Sequence, residues 1–444
     1  MTGHRKILLV AYPGQGLINP SLRLANRLLK IGISVTFCTS SRVMQTINKQ
    51  TTPHGLAFAT FSDGHDDYII GKPPPTTLQQ HISDFATHGA PAVAKIITSA
   101  TAKGEPFDHL VYTTIIPWAA RVANSHNLKS TLFWCQPACV LLFYYHYFNG
   151  FQELISAYQN NPLLPIKLPG LPLLTMSDLP SFFLPSSPKQ HEFLLPLYKD
   201  HVDVIKSKAS PRILLNSFNE LEVGSFKEVK GFDFLPIGPL NGKDSYGTTL
   251  EDDYVIVNWL NTKAKKSVVY VSFGSISHLT SDQCEEVVSG LLEGGRPFIW
   301  VIRNGEEVEK LRKIDELKKL GLIVSWCCQV EVLSHEAIGC FVMHCGWNST
   351  VEAVAAGVPI VAYPQWTDQT TNGKMIEDVW KVGVRVRREG GGVVEGKEID
   401  RCVKMVMGDE EISGNVLKWK ELASEAVKNG GSSSLNLQAF LDDA

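Results

Sequence analysis

The residues best suited to chemistry lie close together between Trp326 and Gln369, in WCCQVEVLSHEAIGCFVMHCGWNSTVEAVAAGVPIVAYPQWTDQ. His344, Asn348 and Ser349 are hydrogen-bond donors grouped around the turn His344-Cys-Gly-Trp-Asn-Ser349. An apolar run, Gly339-Cys-Phe-Val-Met343, precedes that turn and reads as a buried strand. After it, Val351, Ala355 and Val358 have helical spacing, stopped by Gly357-Val-Pro359. A strand, a glycine-containing turn and a helix amino terminus make an anion site, because unpaired backbone N–H groups and the helix dipole face the ligand. Asp368-Gln369 sets a carboxylate beside an amide, a pair suited to sugar hydroxyls. Trp326 can stack on a flat base.

This stretch closely resembles the donor-binding signature of plant family-1 glycosyltransferases, which use UDP-sugars in small-molecule metabolism. The spacing fits from Trp326 to Gln369 without an insertion, and Cys328 stands where the family usually has Pro. The resemblance extends over nearly the whole chain. It implies the two-domain glycosyltransferase B fold, UDP-glucose as donor substrate and an inverting transfer. It also implies residue roles. His344 contacts a phosphate, with Asn348 and Ser349 beside it and Ser275, after Gly274, in the matching phosphate loop. Trp326 stacks on uracil, and Gln329 and Glu352 hold the ribose. Trp347, Asp368 and Gln369 address the sugar, Gln369 being the residue usually associated with glucose rather than galactose. No Asp-x-Asp occurs in the chain, which favours a site that works without metal. Protein donors must then stabilise the departing UDP. No cofactor is expected.

The resemblance breaks at the catalytic base. The family pattern Gln-Gly-His-Ile-Asn-Pro is here Gln15-Gly16-Leu17-Ile18-Asn19-Pro20, and Leu17 cannot take a proton. The family's His is commonly oriented by an Asp, whose place is held by Thr113. Three accounts of Leu17 stay open. It is a substitution introduced to block turnover; or the acceptor needs little base help or finds another base, such as His65; or the chain is a UDP-sugar-binding protein or a repurposed family member without ordinary transfer. The first two leave glucose transfer to a small apolar acceptor, a phenolic or carboxylic acid. A phenol with a pKa near ~10 is about a thousandth ionised at pH 7, whereas a carboxylic acid with a pKa near ~4 is almost wholly ionised.

Composition fits this reading. A chain of 444 residues, 44% hydrophobic and 20% charged, is an ordinary soluble protein of about two domains. A net charge of −3 gives no general attraction to nucleic acid or anionic membranes, so the expected partners are a UDP-sugar and a small acceptor. The nine cysteines are scattered without a C-x-x-C, which points to reduced thiols and a cytoplasmic location. No apolar run approaches the ~20 residues of a membrane span.

The elements that must position these residues read as α/β. Lys6–Tyr12 is a strand and Pro13–Gly16 a turn. A helix follows, with Asn19 as its cap, Pro20 in first position and Leu22, Ala25, Leu28 and Leu29 on one face. Gly32 stops it before a second strand, Ile33–Cys38. Gly14-x-Gly16 is not a dinucleotide fingerprint, because a third glycine and an acid after the second strand are missing. Further along, Lys72–Pro75 reads as irregular and His81–Ser99 as a helix broken at Gly89-Ala-Pro91. Asn161–Pro196 reads as irregular, Gly305–Leu320 as a charged helix, and Lys418–Asn429 as a helix stopped by Gly430-Gly431 before a short one, Ser434–Leu441. The expectation is two Rossmann-like domains facing a cleft: an acceptor domain, 1–240; a linker, 241–254; a UDP-sugar domain, 255–425; and a tail, 426–444, packing back on the first domain.

Overall fold

The computed structural model describes residues 5–45, 47, 52–66, 76–158, 161–184, 192–227, 231–242, 250–275, 279–303, 305–388 and 392–443. Residues 72–75 and most of the expected linker, 243–249, lie outside them.

Two parallel sheets organise the chain. The first contains β1 (Lys6–Val10), β2 (Ser34–Ser40), β3 (Ala57–Phe61), β4 (His109–Thr113), β5 (Lys129–Trp134), β6 (Arg212–Leu215) and β7 (Asp233–Pro236), in the order β3-β2-β1-β4-β5-β6-β7. The second contains β8 (Val268–Ser272), β9 (Phe298–Val301), β10 (Leu322–Val324), β11 (Ile338–Met343), β12 (Ile360–Ala362) and β13 (Gly383–Arg385), in the order β10-β9-β8-β11-β12-β13. Every residue of β4, β8 and β11 is buried. Parallel strands covered on both faces need such continuous apolar runs. Strand order reverses between β1 and β4 and again between β8 and β11. The carboxyl ends of strands at such reversals open a crevice where ligands bind.

Several local expectations are corrected. The first helix, Gln15–Lys30, begins well before Pro20, with Gly14 as its cap. Proline inside a helix deprives the carbonyl four residues back of its donor. Here that carbonyl belongs to Gly16, and it accepts instead from Nδ2 of Asn348 at 2.7 Å. The helix Leu78–Ala102 runs unbroken through Gly89-Ala-Pro91. A Cβ at Gly89 would fall 2.8 Å from Trp118 and 2.9 Å from Phe61, so this glycine serves close packing, not helix termination. The charged segment after Gly305 forms two short helices, Gly305–Glu309 and Ile314–Leu320, parted at Lys313 with φ +57°. In the stretch read as irregular, Ile166 bridges Leu174, two 3-10 turns form at Met176–Asp178 and Ser181–Phe183, and the helix Leu194–Lys206 starts.

Near the end, the helix Glu410–Val427 begins earlier than expected because Asp409 caps it, accepting from the N–H of Ile412 at 2.9 Å. The last helix, Ser432–Asp443, buries Leu437, Phe440 and Leu441 in one cluster with Ile7, Leu9 and Leu28. Polar contacts accompany that burial: Arg212 donates to Ala439 O, and Arg27 to Oγ of Ser434, each at 3.0 Å. Among the described residues, no helix is long and apolar enough to cross a membrane.

Candidate active site

A cleft of about 290 Å³ collects the carboxyl ends of the strands from both sheets. From the first sheet come Tyr12, Gln15 and Leu17 after β1, Ile115 after β4, and Gln136 after β5. The second sheet supplies Ser275 after β8, Arg303 after β9 and Trp326 and Gln329 after β10. It also supplies His344, Trp347, Asn348, Ser349 and Glu352 after β11, and Asp368 and Gln369 after β12. All ten residues assigned to the donor by resemblance therefore line one cavity, together with Leu17.

The donor side is held in place by close packing and hydrogen bonds. A Cβ built at Gly274 or Gly346 would overlap Nε2 of His344, so these two glycines form the walls of a slot for the imidazole. Burial pushes the His344 pKa down to about 4, leaving a neutral ring. The helix Trp347–Ala356 starts at Gly346 without a side-chain cap, so its first backbone N–H groups lack intrahelical partners. Nε2 of Gln329 donates to Oγ of Ser349 at 2.9 Å and to Oε2 of Glu352 at 2.7 Å. Asp368 is buried, which raises its pKa. It accepts from Thr367 Oγ1 at 2.8 Å, Asn372 Nδ2 at 2.7 Å and Gln136 Nε2 at 3.1 Å. Oε1 of Gln369 accepts from the N–H groups of Gln365 and Trp366 at 2.9 and 3.0 Å, so its amide NH₂ is what remains for a ligand. The indole N–H of Trp347 donates to Asn216 O at 3.0 Å and is not available to a sugar. Trp326 carries the Arg303 guanidinium 4.3 Å from its ring centroid, a cation–π contact that a stacked base must share or displace.

The amino-terminal half of the cleft carries the apolar Leu17, Leu78, Ile115, Leu194 and Tyr198, with the polar Gln15, Asn19, Thr114 and Gln136 among them. Thr113 does not reach the cleft. It is fully buried, and its Oγ1 accepts from the N–H of Tyr12 at 3.2 Å. Nor is His65 brought there: it pairs with Asp84 at 2.9 Å and is not among the lining residues. Behind Tyr12, the His81 ring has both nitrogens engaged, Nδ1 by the Tyr12 hydroxyl at 2.6 Å and Nε2 by Arg42 at 2.7 Å.

Ile115 has φ +79°, a strained conformation for a β-branched residue. Its N–H donates to Nε2 of the buried His201 at 3.0 Å. Sequence reasoning missed Arg23, Gln136, Arg303 and Ile115. Arg23 had a signal: Gly16, Asn19 and Arg23 stand at i, i+3 and i+7 and share one helix face. Ile115 had none.

Two parallel α/β domains with one cleft between their carboxyl ends define the glycosyltransferase B architecture. The family model described as UDP-glucoronosyl and UDP-glucosyl transferase matches residues 249–426. UDP-glycosyltransferase 75C1 of Solanum lycopersicum is 47% identical, covering 98% of this chain and 97% of that protein. Crocetin glucosyltransferase, chloroplastic, of Gardenia jasminoides is 44% identical, covering 100% and 98%. Among solved structures, Os79 from O. sativa in complex with UDP superposes with a TM-score of 0.85 at 30% identity, over 98% of this chain and 99% of that one. The chain belongs to the plant family-1 UDP-glycosyltransferases.

Proposed function

We propose that this enzyme transfers glucose from UDP-glucose, with inversion and without metal, to small apolar acceptors. Among those acceptors it favours carboxylic acids and unusually acidic phenols. Residues 1–240 form the acceptor domain, 255–425 the donor domain, and 426–444 a tail that braces the first. In the donor half, Trp326 takes the uracil and Gln329 and Glu352 the ribose. Ser275, His344, Asn348 and Ser349 take the phosphates, and Trp347, Asp368 and Gln369 the glucose. Neutral donors and a helix amino terminus suit a diphosphate whose charge grows as the glycosidic C–O bond breaks. The nine cysteines, all buried, fit a reducing compartment such as the cytosol.

The observation that carries the acceptor preference is Leu17 itself, set in a half-cleft lined by apolar groups. A general base is needed only where the nucleophile arrives protonated. A carboxylate arrives ionised: its oxygen attacks the anomeric carbon, the bond to UDP breaks, and no proton moves. Matched acid and phenol acceptors compared between about pH 6 and 8 test this. The carboxylate rate is expected to stay flat, while the phenol rate climbs up to about tenfold per pH unit with the phenolate fraction. Equal rates with equal profiles would show that another residue supplies the base. Donor binding without any acceptor-dependent UDP release would instead identify a UDP-sugar-binding protein. Calorimetry with UDP-glucose and EDTA tests the metal-free reading, which expects unchanged affinity. A need for added divalent cation would overturn it.

A further inference from the structure

Arg23 projects from the first helix, at the amino-terminal domain's edge of the cleft, to a carboxylate of the other domain. Its Nη1 donates to Oε1 of Glu352 at 2.6 Å and to Leu240 O at 3.0 Å. Both side chains are more than nine-tenths buried, at 6% and 8% exposure. The second oxygen of Glu352, Oε2, receives Gln329. An ionised carboxylate accepts at about four positions, two per oxygen. Arg23 and Gln329 each occupy one, on different oxygens. One position per oxygen remains, and two adjacent acceptors in one plane match two adjacent hydroxyls.

We propose that Arg23 is a positioning residue that orients Glu352 to read a vicinal diol, so that the amino-terminal domain takes part in recognising the nucleotide's ribose. This rests on the assignment of Glu352 to the ribose. The physical case is twofold. A buried carboxylate without a partner is strongly disfavoured, and the equally buried Arg23 guanidinium gives Glu352 a cationic partner 2.6 Å away. A planar guanidinium also restricts how the carboxylate can turn, which a mobile ammonium would not. The same helix face is fixed one step earlier, where Gly16 O accepts from Asn348. That second tie holds the helix against the donor helix and limits the freedom of Arg23.

The test compares binding of UDP and 2′-deoxy-UDP by calorimetry, which needs no turnover. The parent is expected to prefer UDP by about tenfold or more, as for a hydroxyl bonded to a charged group. Arg23→Met and Arg23→Gln should cut that preference to roughly twofold, mainly by weakening UDP while 2′-deoxy-UDP changes little. The Gln variant keeps a donor beside Glu352 and decides the question if the Met variant does not fold. An unchanged preference, or equal weakening of both nucleotides, would overturn the proposal. Glu352→Ala separates the two layers. If it abolishes the preference while the Arg23 variants keep it, the ribose assignment stands and the role of Arg23 falls. If Glu352→Ala keeps the preference, the ribose assignment itself is wrong, and the proposal goes with it.

Discussion

The two halves of the cleft are built differently. On the donor side, side chains such as Asp368, Gln329 and Glu352 already have protein partners, and His344 sits in a slot between two glycines. On the amino-terminal side Leu17, Leu78, Ile115 and Leu194 give apolar wall, and two imidazoles behind it are engaged, His81 by Tyr12 and Arg42 and His201 by the N–H of Ile115. A diphosphate and a sugar present fixed charges and hydroxyls, so preorganised donors suit them. The acceptor side has to shape an apolar body and exclude water. On the proposed reading, Leu17 in place of a proton acceptor would alter which nucleophiles can react while leaving the other half of the cleft untouched.

The sharpest way to break this contrast is to restore a base. Leu17→His should raise transfer to ordinary phenols by roughly 10²- to 10⁴-fold, the worth of a positioned general base, and leave UDP affinity unchanged. Initial rates with a phenol and with its matched acid decide the matter. A rise on both acceptors alike, or none on a phenol that the parent binds, would mean that position 17 does not control proton removal.

Disturbing the donor side should give the opposite pattern. Gly346→Ala drives a Cβ into Nε2 of His344, so the ring must leave its slot. UDP affinity should fall by about ten- to a hundredfold, the range for one lost hydrogen bond to a charged group. His344→Ala should give a similar loss, and combining the two should add little, because both act through one ring. Acceptor binding without donor should not move. Full additivity in the double variant would show that Gly346 shapes the phosphate site by some other route.

The donor side was the more legible in sequence, for physical reasons. Parallel strands buried on both faces are continuous apolar runs, so β8 and β11 could be placed. Their carboxyl ends then fixed where His344 and Ser275 must lie. The acceptor side depends on features that leave no such mark. Pro20 suggested a helix start but sits inside the helix, its missing hydrogen bond covered by Asn348 from the other domain. The positive φ of Ile115 is imposed by tertiary structure around His201. Thr113 stands at the expected chain position, yet its hydroxyl is spent on the N–H of Tyr12. Arg23 had a signal in its helix face with Gly16 and Asn19, but a charged residue in an amphipathic helix reads as solvent-facing until its buried partner, 329 residues away, is known.

The mildest perturbation, acid, should act on both halves and distinguish them through the ligand. Burial holds three histidines neutral: His344 near the donor with its pKa lowered to about 4, and His201 behind the acceptor loop and His109 in β4 each lowered to about 3. For His109, the neighbouring Lys208 and Lys129 add to the effect of burial. In the unfolded chain each imidazole binds a proton near pH 6.5. Between about pH 4 and 6.5 the unfolded state therefore holds more protons, and stability rises with pH. This contribution is complete above about pH 6.5 and is lost as pH falls below it. Two buried carboxyls oppose the trend, Asp368, whose pKa burial raises, and Glu222. Glu222, raised to about 7 by burial, holds its proton longer in the folded state, so its contribution is lost as pH rises from about 4.5 to 7. Toward pH 5 the three histidines outweigh the two carboxyls, so the unfolded state holds the excess of protons, each worth about 1.4 kcal/mol per pH unit. The melting temperature should fall steadily from pH 7 to 5, and His109→Gln should make that fall shallower. UDP places negative charge near His344 and favours its protonated form. It should therefore reduce the acid sensitivity by the share of that one residue, leaving the shares of His201 and His109. A melting temperature that holds level or rises from pH 7 to 5 would show that these rings are not buried neutral. A slope that UDP leaves unchanged would place the phosphates away from His344.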